Sequence, residues 1–191
     1  MTAATAATSD RILDIAERLV QTRGFNGFSY ADIAAEMNVT KATLHYHFRG
    51  KAELGKQLIE RYQRNFAAAL EGIDAQAKDA RDKLRRYAAI YGDVLGDGRM
   101  CLCGMLAAEF GTLPGEMRDE MRHYFDANER WLTGVLNAGK KEKVLKFTGS
   151  SLEAARALVG SLEGAMMIAR SYGEPARFKS ASERLLADVG A

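Results

Sequence analysis

Thr40, Lys41, Thr43, His45, Tyr46 and His47 fall within eight consecutive residues, a density of donors and aromatic rings that a buried helix does not carry. A helix entering the DNA major groove needs small residues for base edges at its start and phosphate donors around it, and TKATLHYH supplies both. The same pattern also fits two ordinary short helices of a bundle. The other reactive side chains are sparser. Cys101 and Cys103 lie two apart, so on a helix they point to nearly opposite sides and do not bridge each other. His45 and His47 share that spacing and His123 stands apart, short of the three or four converging ligands a zinc site needs. No Gly-rich phosphate loop, nucleophile elbow or triad order is visible, so the reading is not an enzyme, with no cofactor and no metal.

The elements that must position these residues follow from their neighbours. Ser29 caps a first helix, with Asp32 three residues on reaching back, ahead of the apolar face Ile33, Ala34 and Met37. Asn38 stops that helix because Asn tolerates the left-handed conformation such a turn requires. Thr40 caps the second helix, which buries Leu44 and Phe48. Upstream, Ile12, Ile15, Ala16, Leu19 and Val20 recur at helical spacing until Gly24, forming a helix that braces the other two. From Lys51 the pattern runs as one long helix through Leu54, Leu58, Tyr62, Phe66 and Leu70, ending near Gly72.

Beyond it, Leu84, Tyr87, Ala88, Tyr91, Val94 and Leu95 make a stripe that Gly96 and Gly98 break. A short apolar helix is predicted from Met100 to Phe110, then one opened by Pro114, a loop over Gly139 to Ser150, and helices over Leu152 to Tyr172 and Ala176 to Val189. The class is all-α, with about nine helices. In 191 residues with two prolines there is room for a substantial core. A net charge of +2 does not by itself argue for nucleic acid. Locally, however, Lys41, Arg49, Lys51, Lys56, Arg61 and Arg64 face only Glu53 and Glu60. No apolar run approaches the roughly 20 residues of a membrane span, and the start lacks signal-peptide character, which predicts a cytoplasmic protein with no membrane partner.

With these residues in view, the stretch from Arg11 to Leu58 resembles the TetR/AcrR-like bacterial transcriptional regulators. It carries their first helix, the Gly24-Phe25 break, the DIA at Asp32 to Ala34, and the L-x-x-HF-x-x-K at Leu44 to Lys51. Asn38, Ala42 and His45 depart from the family's usual Gly, Gly and Tyr. The run CLCGMLAAE from Cys101 is similar to one branch of the same family. The Ala/Thr-rich start predicts a disordered arm over 1–8, and the resemblance implies a three-helix helix-turn-helix domain over 9–50 and a helical bundle for effector binding and dimerisation over 51–191. It implies double-stranded operator DNA as a partner, read by a homodimer as an inverted repeat, and a bacterial cytoplasmic protein that joins the nucleoid when bound. A repressor relieved by an effector is the main reading; a helical small-molecule or thiol-redox sensor without specific DNA binding is the alternative.

The resemblance also assigns roles. Ser29 and Tyr30 are to touch the phosphate backbone, Thr40, Lys41, Ala42 and Thr43 the base edges, and His45, Tyr46, His47 and Lys51 phosphates. Lys41, the long cation at the front of the helix, suits guanine acceptors. For dimerisation, Gly160, Ser161, Gly164 and Ala165 among Leu158 and Leu162 let another helix approach closely, with Leu185 on the last helix, although packing within one chain fits as well. The expected effector is a small apolar or electrophilic molecule, its pocket lined by Tyr87, Tyr91, Cys103, Met105, Met121, Phe125 and Met166 with Glu109 and Arg170 as polar anchors. Plain core packing is the competing explanation of that Met and aromatic stripe. Cys101 and Cys103, beside Arg99 at a helix start, are candidate redox sensors or else small core residues.

Overall fold

Capping chemistry sets the helix boundaries of the head. The computed structural model describes residues 3–191, with side chains from residue 5 onward. Among the described residues it is all-helical: α1 Ala3–Arg23, α2 Tyr30–Met37, α3 Lys41–His47, α4 Lys51–Gln76, α5 Ala80–Gly96, α6 Leu102–Ala108, a 3-10 turn at Phe110–Thr112, α7 Gly115–Lys141, α8 Ser151–Tyr172 and α9 Pro175–Asp188. Ser29 and Asp32 form the reciprocal capping box at the start of α2, and Asn38 ends it at φ 55°. Thr40 accepts from the Thr43 amide to start α3. The 1–8 stretch, expected disordered, is helical from Ala3, as an alanine-rich run favours; residues 1 and 2 lie outside the described residues.

Two compact units divide the chain otherwise than at residue 50. One comprises residues 1–64 and 102–122, the other 65–101 and 123–191. The first unit buries Ile12, Ala16, Leu19, Val20, Ile33, Leu44, Phe48, Leu54 and Leu58 as one core. It also contains α6 and the first turns of α7, because these pack on the α1–α2 region. A Cβ on Gly55 would meet the Met117 sulfur at 2.5 Å and the Phe25 ring at 2.8 Å. A 102–108 helix followed by a 3-10 turn replaces the single helix expected over 100–110.

In the second unit α8 packs on α5 and α9. Ser150 and Glu153 make a capping box for α8, Gly173 closes it at φ 67°, and Pro175 opens α9. Helix α7 runs three residues into the loop expected from Gly139, and Leu145 folds back so closely that its Cδ1 lies 2.5 Å from where a Cβ on Gly139 would be. No described helix is long and apolar enough to cross a membrane.

Candidate functional site

The start of α3 stands open. Thr40, Lys41 and Ala42 are exposed and Thr43 is half-buried, its hydroxyl 3.2 Å from that of Thr40. Ser29, Lys41 and His45 border one surface depression together with Tyr30 and Lys51. His45 is exposed, its Nδ1 3.4 Å from the Arg49 carbonyl, and its ring lies 4.9 Å from that of Tyr30. Tyr46 is 78% exposed, a large aromatic with no core role, and half-buried His47 packs on its edge at 5.2 Å. Ser29 is exposed, but its hydroxyl is engaged in capping, 2.7 Å from Asp32, which holds the Asp32 carboxyl below its usual range.

Two of the expected phosphate contacts turn inward instead. Tyr30 is buried and donates its hydroxyl to the Phe48 carbonyl at 3.1 Å; burial, with Glu53 nearby, pushes its pKa up to about 12. Lys51 donates to the carbonyls of Phe25 and Phe28, with its ammonium 4.6 and 4.2 Å from the centres of those two rings. The α1–α2 turn leaves these carbonyls without helical partners, and a cation takes them. Burial lowers the Lys51 pKa, with Glu109 and Asp32 opposing. The local basic excess shrinks likewise: Arg61 pairs with Asp14 at 2.7 Å and Glu17 at 2.9 Å, and Lys56 with Glu60 at 3.9 Å. Arg49, which the residue pattern did not single out as a contact, remains exposed beside α3.

The expected pocket residues do not form one set. Cys103, Met105, Glu109 and Met121 belong to the first unit, and Tyr87, Tyr91, Phe125, Met166 and Arg170 to the second. Glu109 is no ligand anchor in this arrangement: its carboxylate accepts from the Phe25 and Asn26 amides at 2.5 and 3.1 Å, bonding the segment after α6 to the α1–α2 turn. In the second unit, Tyr87 and Tyr91 share a hydroxyl contact of 2.9 Å, and Tyr87 donates to Asn128 Oδ1 at 3.1 Å. Burial raises both phenol pKa values. Phe66 meets the rings of Tyr87, Tyr91 and Tyr124, and Trp131 stacks on Tyr87 at 5.6 Å.

Beside these rings lies a residue the sequence reading passed over. Glu163 is buried, neither carboxyl oxygen has an N–H or O–H partner, and burial pushes its pKa up to about 7, against a smaller downward pull from a hydrogen bond with the weakly donating Cys101 thiol. The amide nitrogen of Asn128 is also buried without a partner. A signal existed: Glu163 sits four residues after Val159 and three before Met166, on the stripe of α8 that faces the core. Cys101 and Cys103 are both buried and outside any disulfide, Cys101 Sγ lying 3.7 Å from the Tyr124 hydroxyl. Arg99, expected to activate them, pairs with Asp97, and burial shields both thiols from reagents in solution.

Of the proposed dimer face, Leu158 and Leu162 are buried within the protomer, since they lie on the inner stripe of α8. Gly160 is exposed and Ser161, Gly164, Ala165 and Leu185 are half-buried. Toward the C-terminal end of α8 the large apolar side chains left outside are Met167, Ile168, 57% exposed, and Tyr172, 61% exposed.

Comparison with known proteins agrees with this geometry. Residues 12–58 match the family model described as bacterial regulatory proteins, tetR family. Residues 80–185 match that of the tetracyclin repressor-like C-terminal domain. A TetR-family transcriptional regulator from Agrobacterium tumefaciens has a similar solved structure, with a TM-score of 0.94 and 30% identity over 98% of this chain and 100% of that one. A TetR transcriptional regulator from Legionella pneumophila gives a TM-score of 0.86 and 31% identity over 95% of this chain and 97% of that one. The HTH-type transcriptional repressor NemR of Escherichia coli (strain K12) is 26% identical over 176 residues, 86% of each chain.

Proposed function

The chain belongs to the TetR family of bacterial regulatory proteins and is a DNA-binding transcriptional regulator, and we propose that it is a repressor that releases its operator when a small molecule binds. The observation carrying this reading is the exposed start of α3, with Thr40, Lys41 and Ala42 toward solvent on a helix whose Leu44 is fully buried. Those three side chains meet base edges, while His45, Tyr46, His47 and Arg49 meet phosphates, which fix register without reading sequence. The DNA-reading part is residues 1–64 with 102–122, and the effector and the partner protomer are taken up by the remainder.

Dimerisation through the outer faces of α8 and α9 is supported by exposed Ile168 and Tyr172 beside the small residues Gly164 and Ala165. Two heads then read an inverted repeat, with half-sites about one helical turn apart or a multiple of it. The family's regulators bind DNA as dimers and respond to small molecules; the apolar body of the ligand follows here from the aromatic core of the second unit. Selection of bound fragments from a random duplex library, then anisotropy titration of the winner at several salt concentrations, tests the proposal. A tightly bound inverted repeat with a steep salt slope is the expected result. Weak binding with no enriched motif overturns it.

A further inference from the structure

A core assembled only for stability has no use for a carboxyl group without a donor. Glu163 buries two acceptor oxygens with no partner, and Asn128 buries a donor nitrogen with none. Buried polar groups in folded proteins are almost always paired, since each orphan carries its full desolvation penalty. An apolar residue of similar volume at either position would be the better structural choice. The neighbouring phenols do not supply the missing partners, and the Cys101 thiol, whose hydrogen bond draws the Glu163 pKa down slightly, is only a weak S–H donor. Tyr87 gives its single hydroxyl proton to Asn128 Oδ1, so in their mutual contact Tyr91 is the donor to Tyr87.

Glu163 and Asn128 thus leave an acceptor pair and a donor unmatched in one aromatic surround. The carboxyl group asks for a donor and the amide asks for an acceptor. The rings of Phe66, Tyr87, Tyr91 and Tyr124 are packed edge to face in the same core. Aromatic faces carry negative potential, and with an acid among them they recognise organic cations. The groove between α5 and α9 is a poorer discriminator, because Arg85 and Lys179 line it together with Asp93 and Glu183.

We propose that this cluster is the effector-recognition centre and that the effector is a small organic cation. Its protonated nitrogen donates to Glu163, its apolar body lies against Phe66, Tyr87 and Tyr91, and an acceptor group takes the Asn128 N–H. The inference rests on the regulator reading above and adds a cationic head to the apolar molecule that reading requires. Tyr87, Tyr91 and Cys101 are the titratable groups whose charge couples to this part of the core. None of them is a cation, so the ligand's charge meets no repulsion from these groups.

The test uses the full chain and three probes of one shape: benzylammonium, benzyl alcohol and benzoate, titrated by calorimetry against wild type and Glu163→Gln. Saturable binding of benzylammonium alone is expected, weakened about tenfold or more in Glu163→Gln, which keeps an acceptor oxygen but removes its charge. Equal affinity for the three probes, preference for benzoate, no binding of the ammonium, or no effect of the substitution overturns the proposal. A second measurement needs no variant. Wild-type affinity for benzylammonium, which stays protonated through this range, rises as pH passes upward through about 7, where Glu163 ionises; a flat profile overturns the proposal equally. Operator binding by unliganded wild type in the same preparations separates the two failures. If it is absent, the regulator reading falls; if it persists while no ammonium binds, only this inference falls.

Discussion

Lys51 and Lys41 are ten residues apart and do unlike work. Lys51 holds the carbonyls of Phe25 and Phe28 from within the head, while Lys41 stands exposed at the front of α3. Lys51→Met therefore lowers the unfolding free energy by roughly 2 kcal/mol in urea denaturation and leaves the salt slope of DNA binding unchanged. Lys41→Ala leaves stability within about 0.5 kcal/mol and relaxes base preference in a selection experiment. A drop of one unit in the salt slope for Lys51→Met would return it to the phosphate contacts. Glu163 gives a pH-dependent prediction. Burial lifts its pKa from 4.5 to about 7, so between those values the folded protein binds the proton more tightly than the unfolded chain does. Its contribution is then fully present below about 4.5 and is lost as pH rises through about 7, a change of order 3 kcal/mol in stability. Denaturant titrations of wild type should show that decline, and Glu163→Gln should remove it; parallel profiles would contradict the assignment.

At the scale of elements, the α1–α2 turn is held from two sides. Lys51 takes its carbonyls and Glu109 takes its amides, and Glu109 approaches so closely that a Cβ on Gly24 would lie 2.8 Å from a carboxyl oxygen. Glu109→Ala leaves two amides without that acceptor and costs about 2 kcal/mol, with faster hydrogen exchange at Phe25 and Asn26 than at the amides of α2. Glu109→Gln restores part of the loss through its one carbonyl oxygen. Unchanged exchange in Glu109→Ala would show the bonds to be dispensable. The caps of α2 and α3 were legible in sequence because Ser29, Asp32, Asn38 and Thr40 act within a few residues of themselves. The role of Glu109 was not, since its partners lie more than eighty residues away.

For the whole molecule the question is how two heads come to act together. The outer face of α8 presents Ile168 and Tyr172 around glycines at 160 and 164, where an added Cβ would meet open space. Such a face suits a second copy of the chain. Ile168→Lys places a charge in the middle of it and is expected to yield monomers in sedimentation velocity at micromolar concentration. Operator affinity then falls by about tenfold or more, because one head alone loses the linked second half-site. A dimer that survives the substitution would move the interface elsewhere.

The amino-acid sequence by itself determined the helical class, the extents of the long helices after α1 to within a few residues, the caps of the head and the family resemblance. All of these depend on residues within a turn or two of each other, where spacing and capping chemistry act directly. Tertiary structure decided which way the functional side chains face. Tyr30 and Lys51 look like phosphate contacts by type and position, yet the Phe48, Phe25 and Phe28 carbonyls draw them inward. Leu158 and Leu162 look like interface residues until α8 rotates them into its own core. Glu163 reads as one more helix carboxylate until burial leaves it without an N–H or O–H partner. Orientation of that kind is set by contacts between residues distant in the chain, and no local pattern contains it.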